Sequence, residues 1–180
     1  TMNNMRFDTN NYEFNQKSEL GVYIIHGFSN TTYETKELAI FLSENGFHTV
    51  ANNLPGHGET PEDCNKVKYQ DWLYFVKQDI AKLASVSKKI YVLGCSMGAV
   101  LTLYSAGIFP LNACVIAGTV LKFNNPFTVH YINRFLCRII KTRSKKKLNK
   151  NSSIKFYGYS RYPLIALNEM RKLNNNLNLL

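Results

Sequence analysis

The second half of the sequence is nearly devoid of acids: between residues 80 and 180 the only carboxylate side chain is Glu169, and beyond residue 57 the only histidine is His130. Against that scarcity stand 13 Lys and Arg between residues 121 and 172, so this segment carries +12 and the remainder −2. The formal charge of +10 therefore belongs to one segment and not to the fold as a whole. Cysteines are few. Cys64, Cys95, Cys114 and Cys137 are scattered without a C-x-x-C pair, which argues against a disulfide framework or a metal knuckle, and no metal site is expected. The apolar surroundings of three of them read as small buried hydrophobes in a reducing compartment. No apolar run approaches membrane-spanning length, and residues 1–14 lack the apolar core of a signal peptide, so the expected location is cytoplasmic. No internal repeat is present. Charged content of 19% with hydrophobic content of 45% excludes a disordered chain, and 180 residues suffice for one packed core.

What is present centres on residues 89–98, KIYVLGCSMG. A hydrophobic, partly β-branched run enters Gly94-Cys95-Ser96-Met97-Gly98, and an apolar segment over residues 99–109 reads as a buried helix. Strand, G-x-S-x-G, helix is the order of a nucleophile elbow. A serine on so sharp a turn holds a strained backbone, and side chains two residues to either side would collide across it; Gly94 and Gly98 remove them. Ser96 is then expected to project from the carboxyl edge of a sheet, above a helix amino terminus that favours developing negative charge.

Around this stretch the chain alternates. Tyr12, Glu13 and Phe14 read as a short edge strand, with a turn over residues 17–19. The continuous apolar run of residues 21–25 predicts a strand buried on both faces and ends in His26-Gly27-Phe28. Thr31-Thr32-Tyr33-Glu34 predicts a capping box opening a helix, with Leu38, Phe41 and Leu42 on its inner face and Gly46 at its end. A second strand is expected over residues 47–54, closed by Pro55-Gly56-His57-Gly58. A helix over residues 70–84 carries Tyr69, Trp72, Leu73, Val76, Ile80 and Leu83 on one stripe. Pro110 ends the elbow helix, and residues 112–120 predict a fourth buried strand. The sum is β-α-β-α-β-α-β, a right-handed, mostly parallel α/β sheet.

At about residue 121 the alternation stops. Asn125-Pro126 predicts a helix start, after which Ile132, Phe135, Leu136, Ile139 and Ile140 face one way and Arg134, Arg138 and Lys141 another. The basic run over residues 141–150 is expected to be solvated, Tyr162-Pro163 to form a turn and residues 164–173 a helix. Residues 177–180 read as the approach to a further strand.

The motifs HGF at 26–28, PGHG at 55–58 and GCSMG at 94–98, in this order and spacing, resemble the α/β-hydrolase superfamily. They are most similar to small bacterial carboxylesterases and monoacylglycerol-lipase-like enzymes, and the Asp71-Trp72 pair fits that subgroup. The resemblance covers residues 12–120 well and 121–180 loosely. It implies an α/β-hydrolase core over residues 1–120, a basic helical cap over 121–172, and the start of a return to the core over 173–180. It further implies that Ser96 is the nucleophile of a carboxylic ester hydrolase. The backbone N–H groups of Phe28 and Met97 would form the oxyanion hole, and Gly94, Gly98, His26 and Gly27 would shape the elbow and its facing loop. His57 would be structural, because the triad order is serine, acid, histidine. No cofactor is implied.

The pattern then breaks. Neither His130 nor Glu169 has the strand-then-loop context of a triad member, and both read as surface or packing residues. The 180 residues therefore read as the N-terminal part of a longer hydrolase, an expectation that the opening Thr1-Met2 also suggests. On this reading the C-terminal strands of the sheet are missing, its edge is apolar and unpaired, and the chain alone is catalytically incomplete. Two rival readings stay open. One is a binding module whose basic, aromatic-bearing segment (Phe123, Phe127, Tyr131, Phe135, Phe156, Tyr157, Tyr159) holds an anionic membrane surface or nucleic acid. The other is a thioesterase, acyltransferase or peptidase on the same scaffold. A solvated cap with its apolar face over an acyl pocket is the preferred account of the basic segment, so no nucleic-acid partner is expected, while peripheral membrane contact through the basic cap stays open.

Overall fold

A computed structural model describes residues 9–121, 123, 125–145 and 158–177. Its central sheet has five strands: β1 (Tyr12–Phe14), β2 (Leu20–Ile25), β3 (His48–Ala51), β4 (Lys89–Cys95) and β5 (Ala113–Ala117). Their order is β1-β3-β2-β4-β5, with β1 antiparallel and the rest parallel. The helices between them are α1 (Lys36–Glu44), the short α2 (Pro61–Cys64), α3 (Tyr69–Ala84) and α4 (Met97–Ala106). After β5 a helical stretch from Pro126 winds as a π-turn over Thr128–Ile132 and continues as α5 (Asn133–Leu136). A small hairpin of β6 (Thr142–Ser144) and β7 (Arg161–Pro163) follows, and then α6 (Leu164–Leu177).

Period-two alternation splits β2 between two cores. Tyr23 and Ile25 face α3, α4 and α6, together with Trp72, Val76, Ile80, Val92, Val100, Leu101 and Leu173. Val22 and Ile24 face the other way, toward Ala39 of α1 and Tyr12 of β1. The expected stripe of α3 is the buried one: Trp72, Leu73, Val76, Ile80 and Leu83. Its amino terminus is closed by Asp71, which accepts from Lys68 N at 2.8 Å, and by Glu169 of α6, which accepts from Tyr69 N at 3.3 Å. No described helix is long and apolar enough to cross a membrane.

Several expectations are corrected. Strand β5 is exposed along its whole length, because among the described residues no strand pairs with its outer edge. Cys114 is exposed with it, whereas Cys64 and Cys137 are buried. On α1 the buried residue is Ala39, while Leu38 and Phe41 are exposed. The capping box is half formed. Thr31 Oγ1 accepts from Tyr33 N at 3.3 Å, but the Glu34 carboxylate is drawn away to the loop after β2. Tyr162 and Pro163 belong to β7, and α6 runs on to Leu177. The expected helix start does form: Asn125 Oδ1 accepts from Thr128 N at 3.1 Å. The helix that follows is turned the other way round from its apolar pattern. Asn133 and Cys137 are buried, and Asn133 Nδ2 donates to Leu164 O at 3.1 Å, so Phe135 and Ile139 point outward. Residues 146–150 of the basic run, Phe156 and Tyr157 lie outside the described residues; of the strand approach expected over residues 177–180, Leu177 belongs to α6 and the other three positions lie outside them too.

Candidate active site

The strand β4 delivers Ser96 to the sheet's carboxyl edge, and α4 begins at the next residue. Ser96 has φ +54° and ψ −112°, a conformation that costs a non-glycine residue about 1–3 kcal/mol and is held here by its surroundings. Its N–H donates to Ala117 O of β5 at 2.9 Å, and its carbonyl accepts from Ala99 N at 3.1 Å. Both flanking glycines are close approaches. A Cβ on Gly94 would collide with the Gly98 carbonyl and the Thr102 hydroxyl; one on Gly98 would collide with the Ile25 and His26 carbonyls. The elbow is thus pressed directly against the end of β2.

The loop at residues 26–28 lies on the open side of that contact. A Cβ on Gly27 would sit 3.2 Å from Ser96 Cβ and 3.3 Å from a Glu34 carboxylate oxygen. Among the described residues, neither Phe28 N–H nor Met97 N–H has an acceptor. Helix α4 leaves its first N–H groups without internal partners, and their dipole favours negative charge at Ser96. His26 is fully buried and bridges two loops: Nδ1–H donates to Gly27 O at 2.9 Å while Nε2 accepts from Leu54 N at 3.0 Å. Burial pushes its imidazole down to about 4. His57 lies at 5.0 Å from the His26 ring and contacts Phe28, Trp72 and Tyr159. Burial first, and the neighbouring His26 second, push it down to about 3. Both rings are neutral wall groups. His130 packs edge-on against Phe123, and Glu169 pairs with Lys172.

Three contacts were not legible in the sequence. Glu34 Oε2 accepts from Gly27 N at 2.7 Å and Oε1 from Asn30 Nδ2 at 2.6 Å, so an exposed carboxylate braces the loop facing Ser96. Tyr159 donates its N–H to Ser29 O at 3.0 Å and its hydroxyl to Gly56 O at 2.5 Å. Lys145 Nζ donates to Ser29 Oγ at 2.8 Å and lies 4.7 Å from the Tyr162 ring centre; burial pulls its ammonium down to about 8. Ser29 itself has φ +61°. Only for Glu34 was there a local signal, the T-x-x-E pattern, and it pointed to a cap.

Comparison with known proteins agrees with this geometry. The family model described as serine aminopeptidase, S33, matches residues 16–169. A thermostable monoacylglycerol lipase of a Bacillus species is 34% identical over 107 residues, covering 56% of this chain and 43% of that protein. A Bacillus subtilis carboxylesterase is 30% identical over 95 residues, covering 52% and 39%. The chain thus matches less than half the length of either relative. Among solved structures, one from a study of the metagenome-derived lipolytic enzymes LipS and LipT superposes with a TM-score of 0.86 at 21% identity, covering 95% of this chain and 70% of the other. A monoacylglycerol lipase of Paleococcus ferrophilus gives 0.71 at 14% identity, covering 96% and 72%. These likenesses establish an α/β-hydrolase fold, a mostly parallel sheet flanked by helices.

Proposed function

Since this chain belongs to the serine aminopeptidase (S33) family of α/β-hydrolases, we propose that it carries the nucleophile and oxyanion hole of a serine hydrolase cleaving carboxylic esters. The observation that carries this reading is the contact between the strained Ser96 elbow and the loop at residues 26–28. Ser96 Oγ attacks the ester carbonyl carbon, and the carbonyl oxygen takes its negative charge between Phe28 N–H and Met97 N–H. The alcohol leaves with a proton, and water hydrolyses the acyl-Ser96 ester to release the acid. Gly94 and Gly98 hold the elbow, and His26, Gly27 and Glu34 hold the facing loop. Both ring nitrogens of His26 are engaged, with Gly27 O and Leu54 N, and burial makes His26 and His57 weak proton acceptors, so the base is assigned to neither. In this reading the base and its acid come from outside the described residues, and the 180-residue chain alone turns over slowly.

The names of the curated relatives, a monoacylglycerol lipase and a carboxylesterase, favour ester over peptide bonds. The test is hydrolysis of p-nitrophenyl butyrate and a monoacylglycerol by the polypeptide encoded by the whole gene, beside Ser96→Ala. The variant should lose on the order of 10⁴-fold or more in kcat. Equal rates would sink the proposal, and faster cleavage of amino-acid p-nitroanilides would move it to peptidase chemistry.

A further inference from the structure

The region after β5 presents an apolar stripe to solvent. Phe127, Tyr131, Phe135 and Ile139 recur every four residues and are 64%, 60%, 61% and 83% exposed. Buried Asn133 and Cys137 on the opposite side fix this orientation. An isolated exposed apolar side chain is ordinary, but three in register on one helical stretch, with Ile139 continuing the row in the turn after α5, are not. Immediately beside the stripe, α5 and α6 enclose an open cleft of about 390 Å³ lined by Arg134, Arg138, Lys141, Arg171 and Lys172. Among the described residues only Lys172 of these five is ion-paired, with Glu169, which is also the sole acid of the whole 121–172 segment. The two features interlock: the Arg138 guanidinium lies 5.8 Å from the Phe135 ring centre, and Arg134 precedes Phe135 in the chain.

We propose that this face docks on an anionic lipid bilayer, with Phe127, Tyr131, Phe135 and Ile139 entering the acyl boundary and the cationic cleft receiving phosphate headgroups. An apolar stripe bordered by Arg and Lys is the pattern that places a helix flat in the interface. Charge complementarity selects the negative leaflet. Aliphatic Ile132, Ile139 and Ile140 are exposed in the same segment as the aromatics. They gain by leaving water for hydrocarbon, whereas nucleic-acid bases stack on flat aromatic rings and guanidinium planes and take little from an aliphatic side chain. The inference goes beyond ester hydrolysis and stands whether or not Ser96 proves to be a nucleophile.

Vesicle flotation of the 180-residue chain tests it, using phosphatidylcholine alone against equimolar phosphatidylcholine and phosphatidylglycerol. The chain should float with the anionic vesicles at low salt and not with the neutral ones. The double variant Arg134→Gln/Arg138→Gln should bind roughly 25-fold more weakly, about fivefold per cation. Phe135→Ser should weaken binding at every salt concentration, with an unchanged circular dichroism spectrum because the ring lies outside the core. No flotation would overturn the proposal. So would retention by anionic vesicles that Phe135→Ser does not weaken, or a preference for single-stranded polyuridylate over vesicles. If Phe135→Ser misfolds, the arginine pair decides alone, and undiminished binding by that pair overturns the inference.

Discussion

Glu34 shows what a single side chain can do away from the chemistry. Its carboxylate accepts from the Gly27 N–H, so the loop facing Ser96 is braced by an acceptor seven residues downstream. If the proposed ester hydrolysis holds, Glu34→Ala should lower its kcat about tenfold with KM little changed, the worth of one charge-assisted hydrogen bond. Glu34→Gln, which keeps an acceptor for Gly27, should recover most of it; equal loss in both variants would refute the bracing role. His26 and His57 make a second residue-scale prediction. Both rings are neutral in the fold, at about 4 and about 3, and protonate more readily once unfolded. Below their ordinary value near 6.5 the unfolded chain therefore binds more protons. Stability should fall with falling pH by up to about 1.4 kcal/mol per unit for each ring, until the folded values are reached. Urea unfolding midpoints at neutral and mildly acid pH measure this, and a flat profile would contradict it.

Single elements differ in how far their sequences announced them. β2, α3 and the β4–α4 elbow were readable because local pattern and tertiary role coincide: alternation, a 3.6-residue stripe and paired glycines each have one structural solution. The strand β5 and its unpaired apolar edge were readable too, but its exposure was not, since the apolar Ala113–Ala117 run says that burial would be favourable and not that neighbours are there to provide it. Glu34 was hidden by a local motif with a sufficient explanation of its own. The helix around Phe135 deceived because a polar residue, Asn133, found a buried carbonyl and set the rotation. Helix α6 lies at the end of the described chain yet packs against α3 and α4, and its Leu173 is fully buried beside Trp72. Leu173→Ala should cost about 3 kcal/mol of unfolding free energy, whereas a peripheral helix would register less than about 1. Denaturant melts followed by Trp72 fluorescence distinguish the two.

For the whole molecule, the sheet's two edges are unequal. β1 is short and antiparallel, while β5 is longer, parallel and exposes Val115 and Ile116 at 56% and 42%. Such an edge is a template for another strand. The 180-residue chain should self-associate with rising concentration, and Val115→Lys should reduce this; a clean monomer in sedimentation at all concentrations would count against it. The α/β-hydrolase class was legible from three motifs in register, because spacing along the chain reports sheet topology. The outward face after β5 was not, because it depends on contacts between segments about 30 residues apart, such as Asn133 with Leu164. The seat of Gly98 against the Ile25 and His26 carbonyls has an evolutionary consequence. The spacing between the serine and its facing loop is a main-chain dimension, indifferent to which side chains drift elsewhere. The region after β5 can therefore diverge, and be re-engineered for new ligands, without recalibrating the elbow.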